Sequence, residues 1–378
     1  MIAPMMIAVK YSVLRVLAGS LLLLLLLWNL SAQAIVVPGL YQATIALNSR
    51  DSEQERRRAF GEALHVVLTR ISGSEASGNS ASIRRAMANP EPYVESWSTQ
   101  TSSNTVNPDG SVNPQQRIEI VVNFYETEIN RLLDENNIAV WPANRPETLV
   151  WVLVEDELEG RRMLGSSDLN NNTTLASLRY LAERRGLPLL FPLLDLEDQL
   201  RLNAIRLSEM DEAAILNASQ RYQAESILAL RLHRSLSGEL LARAMYLFRD
   251  NTFSFEQFEI NETDFLRGSI NLATNELSQY YAVLLSGTED SVKVNLQVDG
   301  IDSPAAYAAL LSYLNTLEGV SSFQLRQAVN GSLYLQLQTG GQLRQLVETM
   351  ALQRALQSVA ELTREGEEVN MHYRWVSN

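Results

Sequence analysis

From Leu40 to Leu47 the residues "LYQATIAL" set apolar side chains on alternate positions, the period of a half-buried strand. Ser52 with Glu55 then forms a capping box, and Phe60, Leu64, Val67, Leu68 and Ile71 recur at helical spacing. This predicts a long helix with one apolar stripe, stopped by Gly73. A shorter helix near Ile83 to Ala88 ends before Asn89-Pro90. The Ser-, Asn-, Pro- and Gly-rich run "STQTSSNTVNPDGSVNPQQ" reads as an exposed hairpin tip. A strand "RIEIVVNFY" from Arg117 to Tyr125, a helix "INRLLDENN" and a closing strand "IAVW" follow. The predicted order is βα(α)ββαβ, a small α+β domain over residues 35–143.

The next unit, residues 144–288, opens with "NRPETLVWVLVEDE", where Leu149 to Val154 is a continuous apolar run of the kind a doubly covered strand requires. A helix around Leu175 to Arg185 ends at Gly186 before "LPLLFPLL", which suggests neighbouring parallel strands joined by a crossover. A helix from about Asp211 to Gln223 leads to "SILALRLHR", then to "LLARAMYLF" and "TFSFEQFEI" as antiparallel additions. A long helix, Asp264 to Leu285, closes the unit. The expectation is a three-layer α/β domain with a mixed sheet.

In residues 289–378, Val292, Val294, Leu296 and Val298 alternate with polar residues. A helix follows from Pro304 to Leu317, strands flank Asn330-Gly331, a helix covers about Gln342 to Glu361, and "VNMHYRWV" is the last strand. The order βαββαβ is that of a ferredoxin-like split unit. The whole reads as α/β and α+β, three small αβ domains in series, with the first and last sharing an element order.

Ahead of these units lies "LLLLLLLWNLSAQA", Leu21 to Ala34. The apolar stretch after Arg15 runs about a dozen residues, shorter than the roughly 20 a spanning helix needs. Lys10 and Arg15 precede it, and Ala32-Gln33-Ala34 supplies a small-x-small cleavage pattern. Residues 1–34 are therefore expected to be a signal peptide, cleaved after Ala34, that delivers the chain to the periplasm. An uncleaved leader would instead anchor it in the inner membrane.

The chain contains no cysteine, which excludes disulfides, thiolate nucleophiles and a lipid-modified terminus. Its 31 basic residues fall to 29 without Lys10 and Arg15, against 44 acidic ones, so the mature chain carries about 15 negative charges. That balance argues against nucleic acid as a partner. Lys293 is the one lysine outside the leader and follows Asp290-Ser291-Val292, so neither a phosphate loop nor a Ser-x-x-Lys nucleophile is built around it.

The blocks "LYQATIALNSRDSEQERRRAFGEALHVVLTRISG", "WPANRPETLVWVLVE" and "ASQRYQAESILALRL" resemble an uncharacterised family of exported proteobacterial proteins, catalogued as a domain of unknown function (family 2066). The similarity covers most of the mature chain and implies export; it carries no assigned chemistry, so no functional residue transfers. In element order the middle domain is also similar to the αβ domains of envelope accessory lipoproteins that activate cell-wall synthases or nucleate secretion pores. It departs from them in lacking the lipidated cysteine.

His65, His233 and His372 fall in three different units, which disfavours a two-histidine metal site or a catalytic triad. The remaining candidate chemistry is acidic. "VEDELEG" places Glu155, Asp156, Glu157 and Glu159 after one central strand, and "LLDLEDQ" places Asp195, Glu197 and Asp198 after the next. If those strands are parallel, both groups share the carboxyl edge where open α/β sheets bind ligands. Asp156, Asp195 and Asp198 would then be oxygen ligands for Mg²⁺ or Ca²⁺, or a pair would act on a glycosidic bond. Set against this, charge runs after strands are usually solvated, and Arg161, Arg162, Arg184 and Arg185 stand near enough in sequence to neutralise them. A docking surface built on Glu155, Asp156, Glu157, Asp195 and Glu197 for a basic envelope protein is the reading preferred over a metal site. Trp141, Arg145, Pro146 and Trp151 are expected to form a packed seam between the first two domains. A non-enzymatic interaction or accessory protein of the cell envelope, with no cofactor, is the leading expectation. The alternatives are a divalent-metal-dependent hydrolase of envelope glycans and a small-ligand sensor at the seam.

Overall fold

The computed structural model describes residues 35–49, 52–75, 80–102, 105–106, 112–113, 117–157, 160–285, 292–317, 320–339, 343–353, 355–360, 362–365 and 368–376. The leader, its expected cleavage point and Glu159 lie outside these. The described residues belong to one compact unit, Gln33–Asn378, and among them no helix is long and apolar enough to cross a membrane. The class is α/β, built as several small αβ layers around three main sheets.

The first layer begins with β1 (Ile35–Val36) and β2 (Gln42–Leu47), then α1 (Glu53–Ser72) and α2 (Ala81–Ala88). β3 (Val94–Ser102) follows, then a two-stranded ribbon of β4 (Thr105–Val106) and β5 (Val112–Asn113), then β6 (Arg117–Phe124) and α3 (Glu126–Asp134). The sheet order is β2-β6-β3, antiparallel throughout. Alternation in β2 turns Ala43, Ile45 and Leu47 into the core, where they meet the α1 stripe of Ala63, Leu64 and Val67. Ser52 Oγ accepts the Glu55 amide at the start of α1, while Gly73 ends the helix with φ 68°. The Glu55 carboxylate completes the cap by accepting from the Asn48 amide rather than from Ser52.

The expected closing strand "IAVW" does not join this sheet. Val140 makes an isolated bridge to Val283, and the Trp141 amide donates to the Ile71 carbonyl at 2.7 Å. Pro142 has no N–H and cannot extend a ladder, so the segment is diverted at that point. β7 (Asn144–Arg145) then pairs with β1.

The second layer is β8 (Thr148–Asp156), β9 (Gly160–Leu164), α4 (Thr173–Arg185), β10 (Leu189–Leu190), α5 (Leu196–Arg201), α6 (Ala204–Ser208) and α7 (Glu212–Ser219). β11 (Ser226–Arg234), β12 (Leu240–Phe248), β13 (Asn251–Phe258) and α8 (Glu262–Tyr281) complete it. The order is β10-β8-β11-β12-β13, with β9 also on β8; β10 and β11 run parallel to β8 and the other pairs are antiparallel. β8 is buried on both faces: Val150 and Val152 share a cluster with α4 and α8, whereas Leu149, Trp151 and Leu153 share one with α6 and α7. This gives the expected three layers and mixed sheet. "LPLLFPLL" yields only the two residues of β10, because Pro188 and Pro192 bracket it. The helix expected to reach Gln223 stops at Ser219, followed by a single tight turn, Gln220–Tyr222.

The third layer is β14 (Val292–Asp299), α9 (Pro304–Thr316), β15 (Val320–Val329), β16 (Ser332–Thr339), α10 (Leu343–Gln353), β17 (Leu356–Ser358), β18 (Thr363–Glu365) and β19 (Glu368–Trp375). Its order is β15-β16-β14-β19-β17, the strand order expected of a βαββαβ unit, but β19 runs parallel to β14 where a ferredoxin-like sheet is antiparallel, because β17 and β18 follow α10 and run opposite to the last strand. Asn330 and Gly331, with φ 50° and 77°, form the tight turn between β15 and β16. α10 is shorter than its sequence pattern suggested, because Leu356 returns to the core and pairs with Trp375.

Candidate functional site

Where the first and second layers meet, Arg145 is fully buried and donates to backbone carbonyls from three parts of the chain. Its Nη2 reaches the carbonyls of Arg70, at the end of α1, and Trp141, at 2.9 and 3.0 Å. Its Nε donates to Pro142, and its Nη1 to Arg185 and Gly186 at the end of α4. Helix ends leave carbonyls without intrahelical partners, and this one guanidinium collects them from two helices. Gly186 has φ 65°, and a Cβ there would lie 2.4 Å from Arg145 Nη1. Arg185 extends the seam by donating to the Gly73 carbonyl and to Asn275.

Trp141 and Pro146 are buried with Arg145 at this junction. Trp151 is not: it lies on the opposite face of the second sheet, donating from its indole N–H to Ser219 at 2.9 Å, with Tyr222 edge-on at 6.1 Å. The strand period explains the difference, since Trp151 and Val150 must face opposite ways.

Beside the seam opens a groove of about 890 Å³. One wall is Gly39, Gln42 and Thr44 of the β2 edge with Arg70 of α1; the other is Arg179, Tyr180, Glu183 and Arg184 of α4 with Leu189 and Phe191. Three arginines thus face one glutamate, in a chain whose formal charge is −13. Arg70 Nη1 donates to the carbonyls of Gly39 and Gln42, while its buried Nε has no hydrogen-bond partner among the described residues. Arg184 donates to the Tyr180 hydroxyl, and Arg179 is exposed. Nothing local in the sequence marks this groove, because its walls are more than a hundred residues apart in the chain.

Residues 34–142 match a family described as a domain of unknown function (DUF8605). The family is uncharacterised, as the sequence blocks implied, under a different number and over the first layer of the chain. No curated protein matches. Among solved structures, a "Crystal structure of uncharacterized protein" is 8% identical, covering 36% of this chain and 97% of its own, with a TM-score of 0.14, a likeness too low to bear on the fold.

The acidic residues form two groups, each holding its own arginines. Glu155 and Asp156 of "VEDELEG" are the last residues of β8, inside its hairpin ladder with β9 rather than beyond the strand end. Glu155 is buried between Arg161 and Arg231, each 2.5 Å away, with His233 Nδ1 at 3.7 Å. Asp156 pairs across the hairpin with Gly160, and Glu157 is exposed with His233 Nε2 at 4.0 Å. In the second group Asp195 caps α5 by accepting the Asp198 amide, and a hydrogen bond from Arg221 holds its carboxyl below the usual range. Asp198 is fully buried and accepts from Leu194 N–H, Arg221 and the Tyr222 hydroxyl. Burial, reinforced by that bond to Asp198, pushes the Tyr222 hydroxyl up to about 12. Glu197 is paired with Arg201 and lies 3.6 Å from Arg221. Among the described residues no three His, Asp or Glu side chains are grouped to hold a metal ion. The parallel β8 and β10 were a sound basis for one shared edge, but the hairpin and the α5 cap engage the two groups separately. Arg221 and Tyr222, which organise the second group, carry no signal in the sequence around it.

Proposed function

We propose that the protein is a non-enzymatic interaction protein of the cell envelope, working in the periplasm, and that the groove beside the seam is its binding element. The observation that carries this reading is the groove itself, whose walls come from two layers locked together by Arg145. A concave site on a fixed frame meets a ligand without first having to order its own walls. Its three arginines give it a local charge opposite to that of the chain, which favours an anionic partner group. The envelope location is supported by the leader pattern.

The test is photo-crosslinking in intact cells. A photoreactive residue at Arg179 is expected to give a discrete adduct in the periplasmic fraction, and one at Leu236, on the exposed β11–β12 turn, is expected to give none. Recovery of the chain from the cytosol with its leader intact, or the same adducts from both positions, would overturn the reading.

A further inference from the structure

The first and third layers are two forms of one split arrangement, and they differ by one strand. In the third, β19 runs parallel beside β14, so that central strand is paired on both sides. The corresponding strand in the first layer is β2. β6 covers one side of it, but the chain that would supply a fourth strand turns away to the seam at Val140 and Trp141. β2 is therefore a sheet edge, and Gln42 and Thr44 place that edge along the groove.

The register shows which backbone groups point outward. The Phe124 amide of β6 donates to the Tyr41 carbonyl, so odd-numbered residues bond to β6, while Gln42, Thr44 and Ala46 present their N–H and C=O to the open side. Side chains from α1 agree with this: Arg70 donates to the Gln42 carbonyl at 2.8 Å and Arg58 to the Ala46 carbonyl at 3.1 Å. Between these two caps, the Thr44 N–H and C=O and the Ala46 N–H have no partner among the described residues.

We propose that this edge is a strand acceptor: an extended acidic segment of a partner polypeptide adds to β2 within the groove, parallel to it, in the place β19 takes beside β14. The inference rests on the groove being the binding element and names the kind of partner it takes. In strand addition, main-chain bonds supply affinity and alternate side chains supply specificity. The outward Thr44 and Ala46 groups meet the first requirement. For the second, Arg70, Arg179 and Arg184 select carboxylates, while Val66, Leu187 and Phe191 offer apolar contacts to the side chains between them. A free anion would satisfy the arginines but leave the Thr44 amide unmatched, so a polypeptide fits the site better than a small anion does.

The probe is a fluorescent acetylated hexapeptide amide, Glu-Val-Glu-Val-Thr-Val, titrated onto the full chain by anisotropy, with a Lys-for-Glu peptide and inorganic phosphate as comparisons. The acidic peptide is expected to bind saturably and to slow hydrogen exchange at the Thr44 and Ala46 amides. Thr44→Pro removes an outward N–H without touching the β6 ladder, and should weaken binding about tenfold or more. If that variant does not fold, Arg179→Glu with Arg184→Glu, the first exposed and the second half-buried on the same helix, is expected to weaken it about as much. Absence of saturable binding overturns the proposal, as does binding that leaves the two amides unchanged. Phosphate binding alone, without the peptide, also overturns it. An adduct formed in cells from position 179 that is indifferent to Thr44→Pro would sink strand addition while leaving the interaction reading standing.

Discussion

The guanidinium carbon of Arg145 lies 3.9 Å from the ring centroid of Trp141, so the arginine that gathers the seam carbonyls is itself held flat against an aromatic face. Lysine cannot reproduce this, since its three donors radiate from one atom and cannot fan out to carbonyls of Arg70, Pro142 and Gly186. Arg145→Lys is expected to cost about 3 kcal/mol or more, because buried carbonyls lose their donors. Urea unfolding followed by tryptophan fluorescence and by far-UV circular dichroism should coincide for the parent protein and separate for the variant, as the two layers uncouple. Coincident curves at an unchanged midpoint would contradict the role given to Arg145.

Tyr222 is the second polar anchor. Its hydroxyl donates to Asp198 at 2.7 Å and accepts the Leu193 amide at 2.8 Å. Tyr222→Phe keeps the ring beside Trp151 but removes both bonds, leaving a buried carboxylate one donor short. A loss of about 1–3 kcal/mol is expected from chemical denaturation. Equal stability of the variant and the parent would mean that water replaces the hydroxyl without cost.

Much of this architecture was legible in the chain, and the losses have identifiable causes. Strand and helix periods located β2, α1 and the strands of the third layer, where a single buried face repeats over several turns or pleats, while β8, covered on both faces, showed as a continuous apolar run. Asn330-Gly331 specified its turn through backbone conformation alone. What failed depended on partners distant in sequence. Val140 carries a strand-like pattern but finds Val283 in another layer, and Trp151 shares a junction with Trp141 in sequence yet faces away from it. The acidic clusters were visible as charge, while the arginines that engage them, Arg221 and Arg231, arrive from elements tens of residues away. The groove was invisible for the same reason.

Asp299 sets an acid limit for the third layer. Burial works against its charge, but hydrogen bonds from Gln297, Ser332 and His372, at 3.0, 2.7 and 2.7 Å, outweigh it and hold the carboxyl at about 2, below the ordinary 3.8. A carboxyl lowered on folding stabilises the native state above its unfolded value, and that contribution is lost as pH falls towards the folded one. Asp299→Asn should therefore be less stable than the parent by an amount that is constant above about pH 5, shrinks below about 4 and vanishes near 2. The group is partly solvated, so the full difference is on the order of 1 kcal/mol. Thermal midpoints of both proteins across that range provide the comparison. A difference that persists undiminished at pH 2 would assign the loss to packing rather than to charge.

Gly73, which ends α1 of the first layer, lies against Ser278 of α8 in the second. Its φ of 68° is a left-handed conformation that side chains adopt at a cost, and a Cβ there would lie 2.2 Å from the Cβ of Ser278. Two penalties therefore combine in Gly73→Ala: about 1 kcal/mol of backbone strain, and the displacement of a helix whose Ser278 also donates to the Gly73 carbonyl at 3.2 Å. The sum is expected to exceed about 3 kcal/mol. A double-mutant cycle separates the parts. Ser278→Gly removes the worst clash and leaves only Trp141 Cε3 at 3.2 Å, so in that background Gly73→Ala should cost the backbone term plus a small adjustment of the Trp141 ring. If the cost is the same in both backgrounds, Gly73 and Ser278 are not in contact and the two layers are not close-packed at this point.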